Sequence, residues 1–445
     1  PLARERITGL NFTAGKRRLP FRRKYPSKLC ATLGVSRRLR VDGTSSQRLD
    51  ITLLLVARGI RGFGDGFAAI VLPAYLVAIG FGTVEIGIVA AASLFGSALL
   101  TLGVGVVAPR YELRHLLIAG AVLMAATGVM LNVEDLLLIV AVAFIGTVNP
   151  SAGDVGMLVP LEQTVLARDV TDRDRTRVFA RYSLIGAMSS AAGALSAAVP
   201  DVLVDAGIGR VTAFKLMFCC YGVLGLLAAA LYRRLRQSGA EQHHVSTPLG
   251  PSRGMVYKLA VLFSLDAFAG GFIVQSLLAL WLFKRFGISL SAASLFFFWT
   301  GVLSALSYPL ASWLARRIGL VNTMVFTHIP SSVCLIAAAF APNLTWVLGL
   351  LLVRSALSQM DVPTRTSYVM AVVTPAERAA AASVTAVPRS LASSISPALA
   401  GALFGPAFSG LPLVLCGTLK IAYDLALLYT CRRVKPPEEN LGNTP

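Results

Sequence analysis

Arg58, Arg61 and Asp65 stand at i, i+3 and i+7 inside one long apolar run, so as a helix they share a face. If that run crosses a bilayer, each charge costs roughly 2.5–3.5 kcal/mol at mid-depth, and each needs a partner, a wet cavity or a purpose. Asp65 is the acid suited to carrying a proton. Dehydration and a nearby guanidinium pull a carboxylate in opposite directions, so a cavity that opens and closes could switch it. The alternative is that Arg61 and Asp65 neutralise each other at i, i+4.

Further charges sit in other apolar runs. Arg354, Ser358, Asp361 and Arg365 form a polar stripe at i, i+4, i+7 and i+11. A deep Arg354 could grip a carboxylate or phosphate, or pair with an acid elsewhere. Asp361 and Arg365 fit an interfacial gate or anchor near the inner surface. Arg389 follows Pro388 about ten residues into its run, where close packing of small residues cannot account for a guanidinium; it suits a substrate or coupling role, with a fixed ion pair as the alternative. Lys420 and Asp424, again at i, i+4, fit a self-neutralising structural pair.

The elements that must hold these residues follow from hydropathy. The chain has 445 residues, of which 55% are hydrophobic and only 14% charged, too little polar surface for a soluble protein of this size. Apolar runs long enough to span lie at about 52–79, 84–108, 114–132, 136–161, 178–200 and 212–232, then at 257–283, 289–314, 320–341, 344–369, 379–404 and 411–431. This predicts an all-α membrane protein of twelve transmembrane helices in two six-helix bundles, residues 51–232 and 257–431, joined by a Gly- and Pro-containing linker at 233–256 and followed by a tail at 432–445. Residues 1–50, with KRRLPFRRKYPSK and SRRLR, read as a disordered basic tail or as sequence upstream of the true start; an Arg- and Ser-rich transit peptide is the alternative.

The net charge of +19 does not point to nucleic acid, because Lys and Arg collect on one side of the spans. Only Arg210, Lys215, Lys284 and Arg285 fall in loops on the other side, which predicts that both termini are cytoplasmic. Asn343-Leu-Thr345 fits a glycosylation triplet in an outer loop. The six cysteines show no CxxC spacing, the four histidines form no ligand pattern, and no Walker sequence is present. The expectation is no metal, no cofactor, no ATP-driven step and no enzyme activity. A lone His328 inside a span is better explained by a hydrogen bond than by a metal.

The two halves also repeat. Gly66-Phe67 is followed by Phe81-Gly82, and Gly271-Phe272 by Phe286-Gly287 at the same spacing, with an offset of 205 between the halves. Val159-Pro160, Thr171 and Asp174-Arg175 return as Val362-Pro363, Thr374 and Glu377-Arg378 at an offset of 203. At that offset Arg389 takes the place of Gly186. At the offset of 205 Asp266 takes the place of Arg61, which suggests a latch between the halves. Asn149 and Asp154 flank Pro150 in the fourth span, where a kinked cavity wall is expected, and Glu162 marks that span's inner end.

With this duplication, the loop Gly105-Val-Val-Ala-Pro-Arg110-Tyr-Glu112-Leu-Arg114 and its second copy Ser312-Trp-Leu-Ala-Arg316-Arg317-Ile-Gly319, the chain resembles the major facilitator superfamily over about residues 51–435, in a bacterial-type branch. The resemblance implies the facilitator fold, a central cavity faced by Asp65, and charges at Arg110, Arg114 and Arg317 that bridge helix ends and control closure. It implies a monomeric secondary transporter of a small organic solute in a bacterial-type inner membrane, working by alternating access and coupled to protons, with export as the direction. An importer of an organic or inorganic anion at Arg354 and Arg389, or a non-transporting receptor or assembly protein, are the alternatives.

Overall fold

The computed structural model describes residues 36–151, 156–169, 172–236, 249–374, 377–405 and 408–431. Expectations for residues 1–35, for Asp154, for most of the linker and for the tail lie outside them. The helical body that holds the charges begins at Leu49.

All regular structure among the described residues is helical: α1 (Ser36–Ala78), α2 (Thr83–Val107), α3 (Leu113–Met130), α4 (Leu136–Ile145), α5 (Leu158–Asp169), α6 (Asp172–Ser196), α7 (Val199–Asp205), α8 (Arg210–Tyr232), α9 (Arg253–Gly271), α10 (Gln275–Phe286), α11 (Leu290–Ile318), α12 (Leu320–Phe340), α13 (Leu344–Ser358), α14 (Asp361–Val372), α15 (Arg378–Leu403) and α16 (Leu411–Cys431). They make twelve spans, because the fourth (α4, α5), fifth (α6, α7), seventh (α9, α10) and tenth (α13, α14) are each built from two helices. Among the described residues nine of these spans are long and apolar enough to qualify on length and composition. The other three are the divided fourth and tenth and the polar eleventh, α15. Side chains such as Leu137, Val261 and Phe340 stand exposed on the periphery, where lipid is their favourable surrounding.

The fourth span is therefore not continuous over 136–161 as hydropathy suggests. Proline lacks an amide proton and pushes its predecessor out of helical geometry, and Asn149-Pro150 falls in the gap between α4 and α5. Pro160 and Pro363 are each the third residue of their short helices, where a missing amide costs nothing. The recurring Val-Pro motif is thus a helix start. α5 and α14 match residue for residue at the offset of 203, at both ends.

The cores show how the halves meet. One large cluster takes side chains from both halves, including Phe67, Tyr75 and Phe218 from the first and Trp281, Phe297 and Leu335 from the second. Two smaller clusters are each confined to one half: Leu54, Leu166 and Tyr182 in the first, Phe263, Tyr368 and Leu427 in the second. Both lie toward the face where α1 enters and α16 ends, here the chain-end face. At the opposite face the halves touch closely. A side chain on Gly87 of α2 would come within 2.6 Å of the Pro397 carbonyl and 2.9 Å of Gly401 on α15, and Asp201 accepts from the Ser291 amide (3.0 Å) and hydroxyl (2.8 Å). Deeper in, the breaks of the fourth and seventh spans meet, as the Ser276 amide donates to the Pro150 carbonyl at 3.0 Å. The halves thus share a core at the far face and keep separate cores at the chain-end face.

Candidate functional site

On α1 the three charges part company. Arg61 pairs with the fully buried Glu162 of α5 and donates through Nε to the Tyr232 hydroxyl at 3.1 Å. Tyr182 and Tyr232 both donate to Glu162, so this carboxylate is neutralised and saturated by hydrogen bonds. Arg58 lies over the Tyr182 ring, 5.1 Å from its centroid, and against Gly186 of α6, where an added Cβ would overlap its Nε. Gly186 is small because a guanidinium occupies the space its side chain would need.

Asp65 stays apart from both. Among the described residues no cation lies within ion-pair distance of it, so the expected neutralisation by Arg61 is not formed. Its Oδ1 lies 3.2 Å from the Tyr221 hydroxyl, which is also 3.3 Å from the Thr147 carbonyl and side-chain oxygen. Asp65, Arg61, Ser97, Met124, Thr147, Gly156 and Tyr221 line a small, partly open cleft at the break in the fourth span. Among the described residues the carboxylate has one long hydrogen-bond contact and no cation within ion-pair distance, with the cleft beside it.

The second half is built differently. Asp266 of α9 accepts from Lys420 of α16 at 2.6 Å and from Arg365 of α14 at 3.2 Å, and Arg365 also donates to Asp361 at 3.0 Å. His328 of α12 places Nδ1 3.0 Å from both oxygens of Asp424 and Nε2 3.3 Å from Lys420 Nζ. Two expectations are corrected here. Asp266 is not a latch to Arg61, since each finds an opposite charge within its own half. Lys420 and Asp424 do not neutralise each other within α16; His328 stands between them. Asp361 and Arg365 are both buried within the helical body, and Arg365 lies over the Phe263 ring.

Two cations remain. Among the described residues neither Arg354 nor Arg389 has a carboxylate within ion-pair distance, and the Arg389 Nε is buried without a hydrogen-bond partner. The fixed ion pair considered for Arg389 is not formed. The loop arginines lie elsewhere: Arg114 donates to the Arg233 carbonyl at 2.6 Å, joining α3 to the end of α8, while Arg317 lies over Trp313 of its own helix and Arg110 is exposed. Asn343 caps α13 by accepting from the Trp346 amide at 3.2 Å.

Glu162, Tyr182, Tyr221 and Tyr232 are the residues that spacing along α1 could not reveal. A signal for Glu162 did exist, since at the offset of 203 it is the counterpart of Arg365.

Twelve spans in two repeated halves, with buried charge and a polar cleft at a helix break, define a multi-pass membrane protein. Residues 259–444 match the model of the Major Facilitator Superfamily. It is 24% identical over 416 residues to the uncharacterized membrane protein YJR124C of Saccharomyces cerevisiae, covering 85% of this chain and 93% of that one. Among solved structures it resembles the nucleoside transporter NupG, with a TM-score of 0.67, 14% identity and coverage of 85% and 98% of the two chains. It also resembles the inward-open xylose transporter XylE from E. coli, with a TM-score of 0.68, 14% identity and coverage of 87% and 97%. A bacterial homolog of the human lysosomal transporter Spinster, inward-facing and occupied, gives a TM-score of 0.67 at 17% identity, with coverage of 86% and 96%.

Proposed function

We propose that the protein is a proton-coupled transporter that moves a small solute bearing an anionic group by alternating access, with Asp65 as the proton carrier. The observation that carries this reading is the isolation of Asp65. A half-buried carboxylate with no cation within ion-pair distance among the described residues is costly in a low-dielectric surrounding, and a proton is the counter-charge available to it from a wet cleft. Arg61, the obvious competitor, is committed to Glu162.

The arrangement of cores supports alternating access. Rocking of the halves about the shared cluster would close the chain-end face and open the far one. The distribution of Lys and Arg supports a cytoplasmic chain-end face. The conformation at hand would then load solute from the cytoplasm, which supports export. Arg389 and Arg354, the cations lacking carboxylates, would attract the anionic group.

The test is transport in proteoliposomes with and without an imposed pH gradient, using a panel of labelled organic acids, phosphate esters, sugars and nucleosides. Flux of at least one acid should respond to the gradient, and Asp65→Asn should remove that response while leaving exchange at equal pH. Gradient-independent flux, or an unchanged response in Asp65→Asn, would sink the proton role.

A further inference from the structure

We propose that Tyr221 of α8 is a positioning residue that carries the protonation state of Asp65 to the break in the fourth span. This rests on the reading of Asp65 as the proton carrier. The Tyr221 hydroxyl has one hydrogen to give and three oxygens within reach of it: Asp65 Oδ1 at 3.2 Å, the Thr147 carbonyl at 3.3 Å and Thr147 Oγ1 at 3.3 Å.

The ring is held in place while the hydroxyl is left free to choose. Tyr221 is fully buried. An added Cβ on Gly64 of α1 would come within 3.1 Å of its ring, and the Phe67 ring of the same helix meets it edge to face with centroids 6.2 Å apart. Tyr221 is thus clamped against the helix that carries Asp65, and rotation about its C–O bond is the motion that remains.

The Thr147 carbonyl needs that hydrogen. α4 ends at Ile145, and the Ser151 amide, which a continuous helix would aim at Thr147, donates instead to Asn149 Oδ1 at 2.9 Å. Among the described residues the Tyr221 hydroxyl is the donor that reaches this carbonyl, and a carbonyl kept from water without a donor is costly.

One proton reverses the series. A charged Asp65 is the stronger acceptor and draws the Tyr221 hydrogen, while Thr147 Oγ1 donates to the Tyr221 oxygen. Once an O–H bond forms on Asp65, that group donates to the Tyr221 oxygen and Tyr221 turns its own hydrogen to the Thr147 carbonyl. The other charges around Asp65 are Arg58 and Arg61 of its own helix and Glu162 of α5. Arg61 and Glu162 hold each other, and Arg58 lies over Tyr182. Three residues beyond Thr147, the Pro150 carbonyl accepts from the Ser276 amide at the start of α10, in the second half. Protonated Asp65 therefore ties the break to α8 and steadies a contact between the halves, which favours the closed far face; charged Asp65 withdraws the tie.

The test reads the two halves directly and needs no transported solute. The full chain, with its native cysteines replaced by serine, carries spin labels at Asp205→Cys and Thr345→Cys, exposed positions at the far-face ends of α7 and α13. Distances between the labels are measured in lipid nanodiscs by double electron–electron resonance between about pH 5 and about pH 8. Acid should raise the ratio of short to long distances about fivefold, the worth of one hydrogen bond. Tyr221→Phe keeps the ring and removes the hydrogen, and should abolish that response; Thr147→Val keeps the carbonyl and should retain it. Dicyclohexylcarbodiimide, which reacts with protonated carboxyls in apolar surroundings, should still label Asp65 in Tyr221→Phe, and less so as pH rises, as read by peptide mass spectrometry. A full response in Tyr221→Phe beside none in Asp65→Asn would overturn the role of Tyr221 alone. A full response in Asp65→Asn would remove the proton carrier and this inference with it. Loss of the response in Thr147→Val, or of Asp65 labelling in Tyr221→Phe, would overturn the transfer from Asp65 to the carbonyl.

Discussion

Arg61 and Asp266 hold equivalent places in the two halves, at the offset of 205, and each is ion-paired to the fifth residue of an equivalent short helix: Arg61 to Glu162 of α5, Asp266 to Arg365 of α14. The geometry is repeated and the polarity is reversed. Reversal of one member alone would leave two like charges face to face in a buried site, so the repeat can exchange signs only as a pair. Each pair ties the first span of its half to the short helix that follows the break in the fourth.

A reversed pair implies that the site tolerates either polarity. Glu162→Gln strands the Arg61 guanidinium and should cost about 3–5 kcal/mol, whereas Arg61→Met with Glu162→Met should recover most of that loss. Arg61→Asp with Glu162→Arg, which copies the polarity of the second half, should also be more stable than either single reversal. Unfolding of the purified variants in detergent, followed by tryptophan fluorescence, measures each. Additive losses in the double variants would mean that the two residues do not act as a pair.

The repeat is legible in the sequence because prolines and glycines constrain the chain locally. Pro160 and Pro363 mark the third residue of α5 and α14, and that single geometric need keeps the offset of 203 visible. The partners of the charges are not legible in the same way. The i, i+4 rule offers Asp65 to Arg61, but a carboxylate 101 residues away, with two tyrosine hydroxyls beside it, holds the guanidinium. The same rule offers Lys420 to Asp424, and His328 from another helix intervenes. It holds for Asp361 and Arg365, where the fork of Arg365 serves an intrahelical and a tertiary acid together. Helical spacing fixes which charges share a face; packing of neighbouring helices fixes which of them meet.

Gly186 tests that last point directly. Its added Cβ would overlap Arg58 Nε, so Gly186→Ala should destabilise by about 1–3 kcal/mol, through displacement of the guanidinium from the Tyr182 face. The loss should shrink markedly in an Arg58→Ala background. Gly103 of α2 has nothing within 4 Å of the same added atom, and Gly103→Ala should gain about 0.5–1 kcal/mol from helix propensity. Equal effects at the two glycines, or a Gly186→Ala cost indifferent to Arg58, would refute the close approach.

Closure of the far face can be locked. Asp201 and Ser291 belong to opposite halves and touch through two hydrogen bonds. With the native cysteines replaced by serine, Asp201→Cys with Ser291→Cys should cross-link through a disulfide or a short bis-thiosulfonate. The linked protein should lose nearly all transport and regain it on reduction, because a solute cannot leave through a face that no longer opens. Full transport by the cross-linked form would remove the rocking motion proposed for the halves.

Acid should loosen the chain just before α9. Glu377, at the start of α15 and outside the spans, accepts from the Ser252 hydroxyl and the Thr374 hydroxyl, each at 2.7 Å, and from the Gly250 amide. These donors, the Ser252 hydroxyl foremost, hold its carboxyl at about 2, below its usual 4.5. A depressed carboxyl stabilises the fold fully above its unfolded value and loses that contribution as pH falls through the folded one. Wild type should therefore exceed Glu377→Gln in apparent Tm by a constant margin above about pH 4.5, and the margin should close between there and about pH 2. The amide isostere keeps the size and cannot carry the charge, so a margin that persisted below pH 2, or that was absent at neutral pH, would show that the charged form of Glu377 does not anchor this segment.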